Sequence, residues 1–100
     1  MPAYIISDVT IRDEAGADAY RERAAQSIAQ HGGRYLVRAG AVEVLEGDWS
    51  PRAVIIVEFP DMERARAWYH SAAYAEALKY RDVALSRDLI LVEGVVADDF

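Results

Sequence analysis

Glu58 is the one charged residue in Ala53-Val54-Ile55-Ile56-Val57-Glu58-Phe59, the most strand-like run of the chain. A carboxylate on an otherwise apolar strand face is a candidate acid or base, because burial disfavours its charged form. Asp8, in an earlier strand-like run, has the parity to share that face. Two carboxylates in one low-dielectric site can have separated pKa values and divide the roles of acid and base. The competing reading puts each near a strand end, solvated or paired with Arg34, Arg38 or Arg52, and structural ion pairs are the commoner case. Arg52 stands after Pro51 at the entrance to the Val54 strand. It either binds a substrate carboxylate bidentately or fixes the loop through Glu46 or Asp48, and the second is the simpler expectation. Glu58, Asp8 and Arg52 are thus the catalytic candidates.

Tyr35, Trp68, Tyr69 and Tyr74 could line an apolar pocket between helix and sheet, of the kind that holds a small ligand by a few polar anchors. Aromatic residues at helical spacing are more often core. Arg81 continues the stripe of Tyr74, Leu78 and Leu85, and either snorkels outward or projects into a pocket under the helix. These five are the ligand-binding candidates. Trp49, in a Gly-Asp loop, is expected over a sheet edge or a subunit seam. His31 and His70 are the two histidines, isolated and without a second ligand pattern, so no metal site is expected. The chain has no Gly-rich phosphate loop, nucleophile elbow or dinucleotide fingerprint, and no cofactor is expected.

The elements that must position these residues follow from local pattern. Val and Ile are stiff at χ1 and favour a strand over Val54 to Phe59, bounded by Ser50-Pro51 and Pro60-Asp61. A first strand runs from Tyr4 to Ile11. Asp13 suits an N-cap, with Glu14 in the first helical turn. Ala17, Tyr20, Ala24 and Ile28 then form an apolar stripe on a helix reaching about His31, which Gly32 or Gly33 ends. Arg34 to Arg38 starts a second strand. Gly40 suggests a bulge or tight turn, and Ala41 to Leu45 is expected to resume as strand. Asp61 caps a short helix carrying Met62, Ala65, Trp68 and Tyr69. Ser71 caps a second segment with Tyr74, Leu78 and Leu85 inward. Arg87 to Val95 is the last strand, followed by a polar tail, Ala97-Asp98-Asp99-Phe100.

Strand, helix, strand, strand, helix, strand is the ferredoxin-like βαββαβ order, an α+β arrangement with an antiparallel sheet and helices on one face. The first and third strands should lie side by side in the middle. The Val54 strand is apolar on both faces except at Glu58, whereas a sheet with one wet face alternates. Helices cover one face only. The simplest cover for the other is the same face of a second copy, so a homodimer packed sheet to sheet is expected.

Composition bounds the rest. One hundred residues suit a single domain, 1–100. Of these, 53% are apolar and 28% charged, enough for a core and a soluble surface. No apolar run approaches the ~20 residues that span a bilayer, and the first residues lack a secretion signal. There is no cysteine and no asparagine, so no disulfide, thiolate or N-glycan. A cytoplasmic location is the default expectation. The net charge of −6 repels phosphate backbones. The aliphatic strands also lack the aromatic platform by which ferredoxin-like domains stack RNA bases, so nucleic acid is not an expected partner.

His31-Gly32-Gly33-Arg34-Tyr35-Leu36, Val44-Leu45-Glu46-Gly47-Asp48-Trp49, Val57-Glu58-Phe59-Pro60, Ala67-Trp68-Tyr69-His70-Ser71 with Tyr74, and Leu91-Val92-Glu93-Gly94 resemble the domain of unknown function 1330 family. The resemblance covers nearly the whole chain. It implies the dimeric α/β-barrel superfamily, in which two ferredoxin-like sheets close a barrel across a dimer. That superfamily includes cofactor-free monooxygenases, isomerases and dehydratases. The family itself has no settled activity, so the resemblance implies a fold and leaves the reaction open. Ala73 departs from the family pattern, which often has Glu there, and so does Ala39-Gly40, where Gly-Gly is usual. Two readings follow: a cofactor-free small-molecule enzyme (isomerase, lyase or monooxygenase-like acid–base chemistry), or a non-catalytic dimer that binds a ligand or supports an assembly.

Overall fold

The computed structural model describes residues 1–95. Its elements are β1 (Ala3–Ile11), α1 (Glu14–Gln30), β2 (Arg34–Arg38), β3 (Val54–Phe59), α2 (Met62–Tyr69), α3 (Ala72–Leu78), α4 (Arg81–Ala84) and β4 (Leu85–Glu93). The strands form one antiparallel sheet in the order β2-β3-β1-β4. This is the ferredoxin-like arrangement, with β1 and β3 central as expected. The expected caps are also in place. The Asp13 carboxylate accepts from the Gly16 N–H, Asp61 from Arg64 and Ser71 from Tyr74, each satisfying a first-turn amide that has no partner within its helix.

Alternation divides the sheet residues between two faces. Ala3, Ile5 and Val9 of β1, Val57 and Phe59 of β3 and Leu85 of β4 are buried under the helices. There Ala3, Ile5, Val57 and Phe59 meet Ala24 and Ile28 of α1, Ala65 and Trp68 of α2, and Tyr74 and Ala77 of α3. Alanines on the helices' inner faces let them lie close to the sheet. The opposite face holds Tyr4, Ile6 and Asp8 on β1, and through the register Val54, Ile56 and Glu58 on β3 and Ile90 and Val92 on β4. Among the described residues no helix or strand covers this face: Ile90 is 56% and Val92 41% exposed.

Three expectations need correction. Segment 41–45 is irregular, not a strand. The β2–β3 ladder runs out with Ala39 N–H to Val54 O, and beyond it Ala53 O accepts from Val9 while Arg52 N–H goes to Asp8. Segment 41–45 is left without a ladder. The irregularity expected at Gly40 falls earlier: the bulge lies between Tyr35 and Val37, and Ala39 takes the left-handed turn conformation with φ 58°. Finally, the last strand begins at Leu85, not Arg87, and ends at Glu93, not Val95. Leu85 therefore belongs to the sheet, paired with Ile11, and not to the helical stripe of Tyr74 and Leu78. A separate turn, α4, intervenes. The tail expected at 97–100 lies outside the described residues.

Two adjacent glycines end α1 for different reasons. Gly32 takes φ 78°, the left-handed conformation. Gly33 makes room: a Cβ there would stand 2.7 Å from Ile28 Cγ2 and 2.8 Å from Phe59 Cε1. Both neighbours are buried core, so neither can yield freely. Gly33→Ala is expected to destabilise the fold by about 1–3 kcal/mol through overpacking. Gly40→Ala, with open space around it, should stay within about 0.5 kcal/mol. Denaturant midpoints of the two variants check this, and equal effects would refute it.

Candidate functional site

The polar centre of the helix-covered layer is a triangle of Tyr20, Tyr74 and Arg87. Tyr20 lies on the inner face of α1. Tyr74 follows the Ser71 cap in the first turns of α3 and is fully buried. Arg87 is opposite Val9 in the β1–β4 ladder, so parity aims it at the helices. The Arg87 guanidinium donates from Nη1 to the Tyr20 hydroxyl and from Nη2 to the Tyr74 hydroxyl. The two hydroxyl oxygens are 2.6 Å apart. The Tyr74 ring is wedged by Trp68, with centroids 4.2 Å apart. Trp68 is anchored in turn by its indole N–H, which donates to Ser27 Oγ at 3.0 Å.

Counting hydrogens gives this triangle its chemistry. Arginine only donates; each tyrosine hydroxyl carries one hydrogen. The contact between the hydroxyls uses one of those two hydrogens, so one remains. Tyr74 is sealed in the core, whereas Tyr20 borders a mainly apolar cavity of about 470 Å³ between α1 and the sheet, walled by Val9, Ile11, Ile55 and Leu85, with Arg21, Glu22 and Arg38 also bordering it. Either hydroxyl can be the donor in their contact; with Tyr74 donating, the hydrogen left over is that of Tyr20, the tyrosine that borders the cavity. Burial, with Tyr74 beside it, pushes the Tyr20 pKa well up, outweighing the pull of Arg87. Tyr20 is therefore a neutral donor at ordinary pH, not a base. Burial opposes the charge on Arg87, but the tyrosine oxygens more than compensate, so the guanidinium stays charged. A cation behind a neutral hydroxyl facing an apolar cavity suits a carbonyl oxygen or a developing oxyanion.

The catalytic candidates are distributed differently. Asp8 and Glu58 do share a face, the open one. Glu58 is opposite Tyr4, however, and Asp8 opposite Val54, which separates them by four residues, or about 13 Å along the strands. They do not form an acid–base pair. Glu58 accepts from Arg34 Nε at 2.8 Å. Asp8 accepts from the backbone N–H groups of Arg52 (2.9 Å) and Ala53 (3.3 Å) and from the Trp49 indole (3.2 Å). Arg52 is thus engaged through its backbone, and among the described residues its side chain makes no ion pair with Glu46 or Asp48. Trp49, 65% exposed, stands over the open face beside Ile6 and Ile90.

The ligand-binding candidates do not line one pocket either. Trp68 and Tyr74 are core. Tyr35 packs at the core edge with the Arg38 guanidinium 3.9 Å above its ring, and burial raises its pKa. Tyr69 and Arg81 border a separate cleft beside β4. The histidines terminate helices: His31 follows α1, its Nδ1 2.8 Å from Ser27 O, and His70 follows α2. Sequence reasoning passed over Arg87 and read Tyr20 as core. The available signal was the period of two, which sets Arg87 among Leu85, Leu89 and Leu91 on the helix side.

The ferredoxin-like sheet with a polar centre beneath its helices defines the structural class, and comparison with known proteins gives the family. Residues 2–95 match the family model described as "Domain of unknown function (DUF1330)", and the chain belongs to that family. No curated protein is similar enough in sequence to match. Among solved structures, a protein of unknown function from Rhodopseudomonas palustris is similar with TM-score 0.76 and 20% identity, over 95% of this chain and 83% of that one. SnoaB, a cofactor-independent oxygenase from Streptomyces nogalater, gives TM-score 0.67 and 13% identity, over 96% and 95% of the two chains. A dimeric ferredoxin-like protein of unknown function from Jannaschia sp. CCS1 gives 0.63 and 12%, over 94% and 100%. These likenesses establish the fold. Among the described residues no helix is long and apolar enough to cross a membrane.

The Asp8 anchor predicts a pH response. The Asp8 pKa is lowered, chiefly by the Arg52 N–H, with Trp49 and Ala53 helping. A lowered folded-state value means stability that is present above the unfolded value and lost as pH falls through the folded one. The amide resonances of Arg52 and Ala53 should therefore titrate below the ordinary aspartate value of about 3.9, and Asp8→Asn should abolish the titration. Titration at or above that value would contradict the anchor.

Proposed function

We propose that the protein is a homodimer in which each protomer holds a small, mostly apolar molecule between α1 and the sheet, with Tyr20 donating to an oxygen on it. The observation that carries this reading is the Tyr20–Tyr74–Arg87 triangle, whose two hydroxyls share one contact, with Tyr20 bordering a mainly apolar cavity large enough for a small ligand. The chemistry that fits is acid–base work at a carbonyl or enol oxygen, of the isomerase, lyase or monooxygenase-like kind, run without a cofactor and in the cytoplasm. The likeness to a cofactor-independent oxygenase supports this choice at the level of fold.

Dimerisation is the second part of the proposal. Tyr4, Ile6, Val54, Ile56, Ile90 and Val92 make an apolar face that no helix or strand among the described residues covers, and contiguous apolar surface of this kind favours an interface. Segment 41–49 extends the argument, because Val42, Val44, Leu45 and Trp49 are 47%, 46%, 84% and 65% exposed and suit a contact with a second copy. Proteins of similar fold are described as dimeric.

Each part has its own test. With 1-tetralone as a neutral ketone probe, the infrared carbonyl stretch of the bound molecule should move to lower frequency. Tyr20→Phe should remove that shift and weaken binding about tenfold, the worth of one hydrogen bond. A shift that persists in Tyr20→Phe rejects the assignment, and binding unaccompanied by any turnover favours the ligand-binding dimer over the enzyme. For assembly, the purified chain should sediment as two copies at micromolar concentration, and Ile90→Glu as one. A single copy in both proteins would rule out the dimer.

A further inference from the structure

We propose that the cleft where α4 meets β4 binds the carboxylate of a small organic acid. The cleft, of about 420 Å³, is bordered by Arg12, Arg81 and Arg87, with Tyr69, Leu85 and Leu89 as its less polar walls. Its acidic neighbour among the described residues, Asp82, is paired with Arg81 at 3.0 Å and has a side chain 83% exposed. Three guanidinium groups against one outward carboxylate leave the cleft positive by two charges, on a chain whose net charge is −6.

Arg87 is the observation that calls for a ligand. It is partly buried, and among the described residues no carboxylate lies within ion-pair distance of it. Its partners are two neutral hydroxyls, which stabilise the cation by hydrogen bonding and leave its net charge in place. Charges withdrawn from water are normally paired, and a carboxylate entering the cleft would supply the anion that the described residues do not. The surroundings are built to receive one. Arg12 Nη2 donates to the backbone carbonyls of Asp82 (2.6 Å) and Leu85 (3.1 Å), which holds that side chain across the cleft while its other N–H groups stay available. Planar arginine forks match a carboxylate bidentately. Leu85, Leu89 and Tyr69 suit the short apolar body of an organic acid.

This site goes beyond the reading above. It lies on the opposite side of Leu85 and the Arg87–Tyr20 contact from the α1 cavity, and neither Arg12 nor Arg81 borders that cavity. Binding in the cleft can therefore hold or fail independently of Tyr20.

The test titrates the full chain with benzoate and with benzamide, its neutral isostere, following arginine Nε–H resonances and heats of binding. Benzoate is expected to saturate and to move the Arg12, Arg81 and Arg87 signals, with benzamide at least tenfold weaker. Arg12→Gln and Arg81→Gln should each weaken benzoate at least fivefold. These two side chains lie outside the core, so the test survives even if Arg87→Gln fails to fold. Equal binding of benzoate and benzamide, or an unchanged benzoate affinity in both glutamine variants, overturns the proposal. Displacement of benzoate by a lower concentration of inorganic phosphate also overturns it, by giving the cleft to a different anion.

Discussion

A sheet whose central strands are apolar on both faces must be covered twice, and this constraint shapes most of the molecule. The helices cover one face. Their small inner residues, Ala24, Ala65 and Ala77, bring the layers together around Phe59, Trp68 and Tyr74. The other face carries aliphatic side chains from three strands, and no helix or strand among the described residues covers it. A second copy of that face satisfies the requirement without any further element, and two such sheets back to back would form the core of the assembly.

The covered layer has its own demand, because it buries polar groups that must find partners. Trp68 finds Ser27, whose hydroxyl in turn donates to Ala24 O. Tyr20, Tyr74 and Arg87 find one another. Among the described residues no buried side-chain nitrogen or oxygen lacks a partner. Satisfaction of hydrogen bonds is not neutrality, however, and a cation held by two hydroxyls keeps its field. That field separates two spaces, the aliphatic cavity under α1 and the arginine-lined cleft beside β4, with Leu85 bordering both.

The open face is pinned at one end by Asp8. Its carboxylate ties the loop before β3 to β1 through two backbone amides and the Trp49 indole. The same residue looked, by parity alone, like half of an acid–base pair. Its real geometry makes it an anchor, because a carboxylate that accepts three hydrogen bonds while ionised is held in that state. Glu58 belongs at the far end of the strand with Arg34.

Local pattern decided much of this in advance. The period of two assigned the faces of β1 and β3, because successive strand side chains must point oppositely. Asp13, Asp61 and Ser71 marked the helix starts, because first-turn amides need a nearby acceptor. Two apolar faces and one layer of helices raised the expectation of a second copy, which the proposed dimer carries forward. Register was a different matter: parity says which face a residue takes but not which residue stands opposite, so only the folded sheet could show Asp8 and Glu58 apart. Segment 41–45 reads as strand from composition and is not one, because a strand needs a ladder partner and β3's neighbours are already engaged. The Tyr20–Tyr74–Arg87 triangle joins residues 54 and 67 positions apart in the chain. No spacing rule links α1, α3 and β4, and their meeting point exists only once the helices have packed on the sheet.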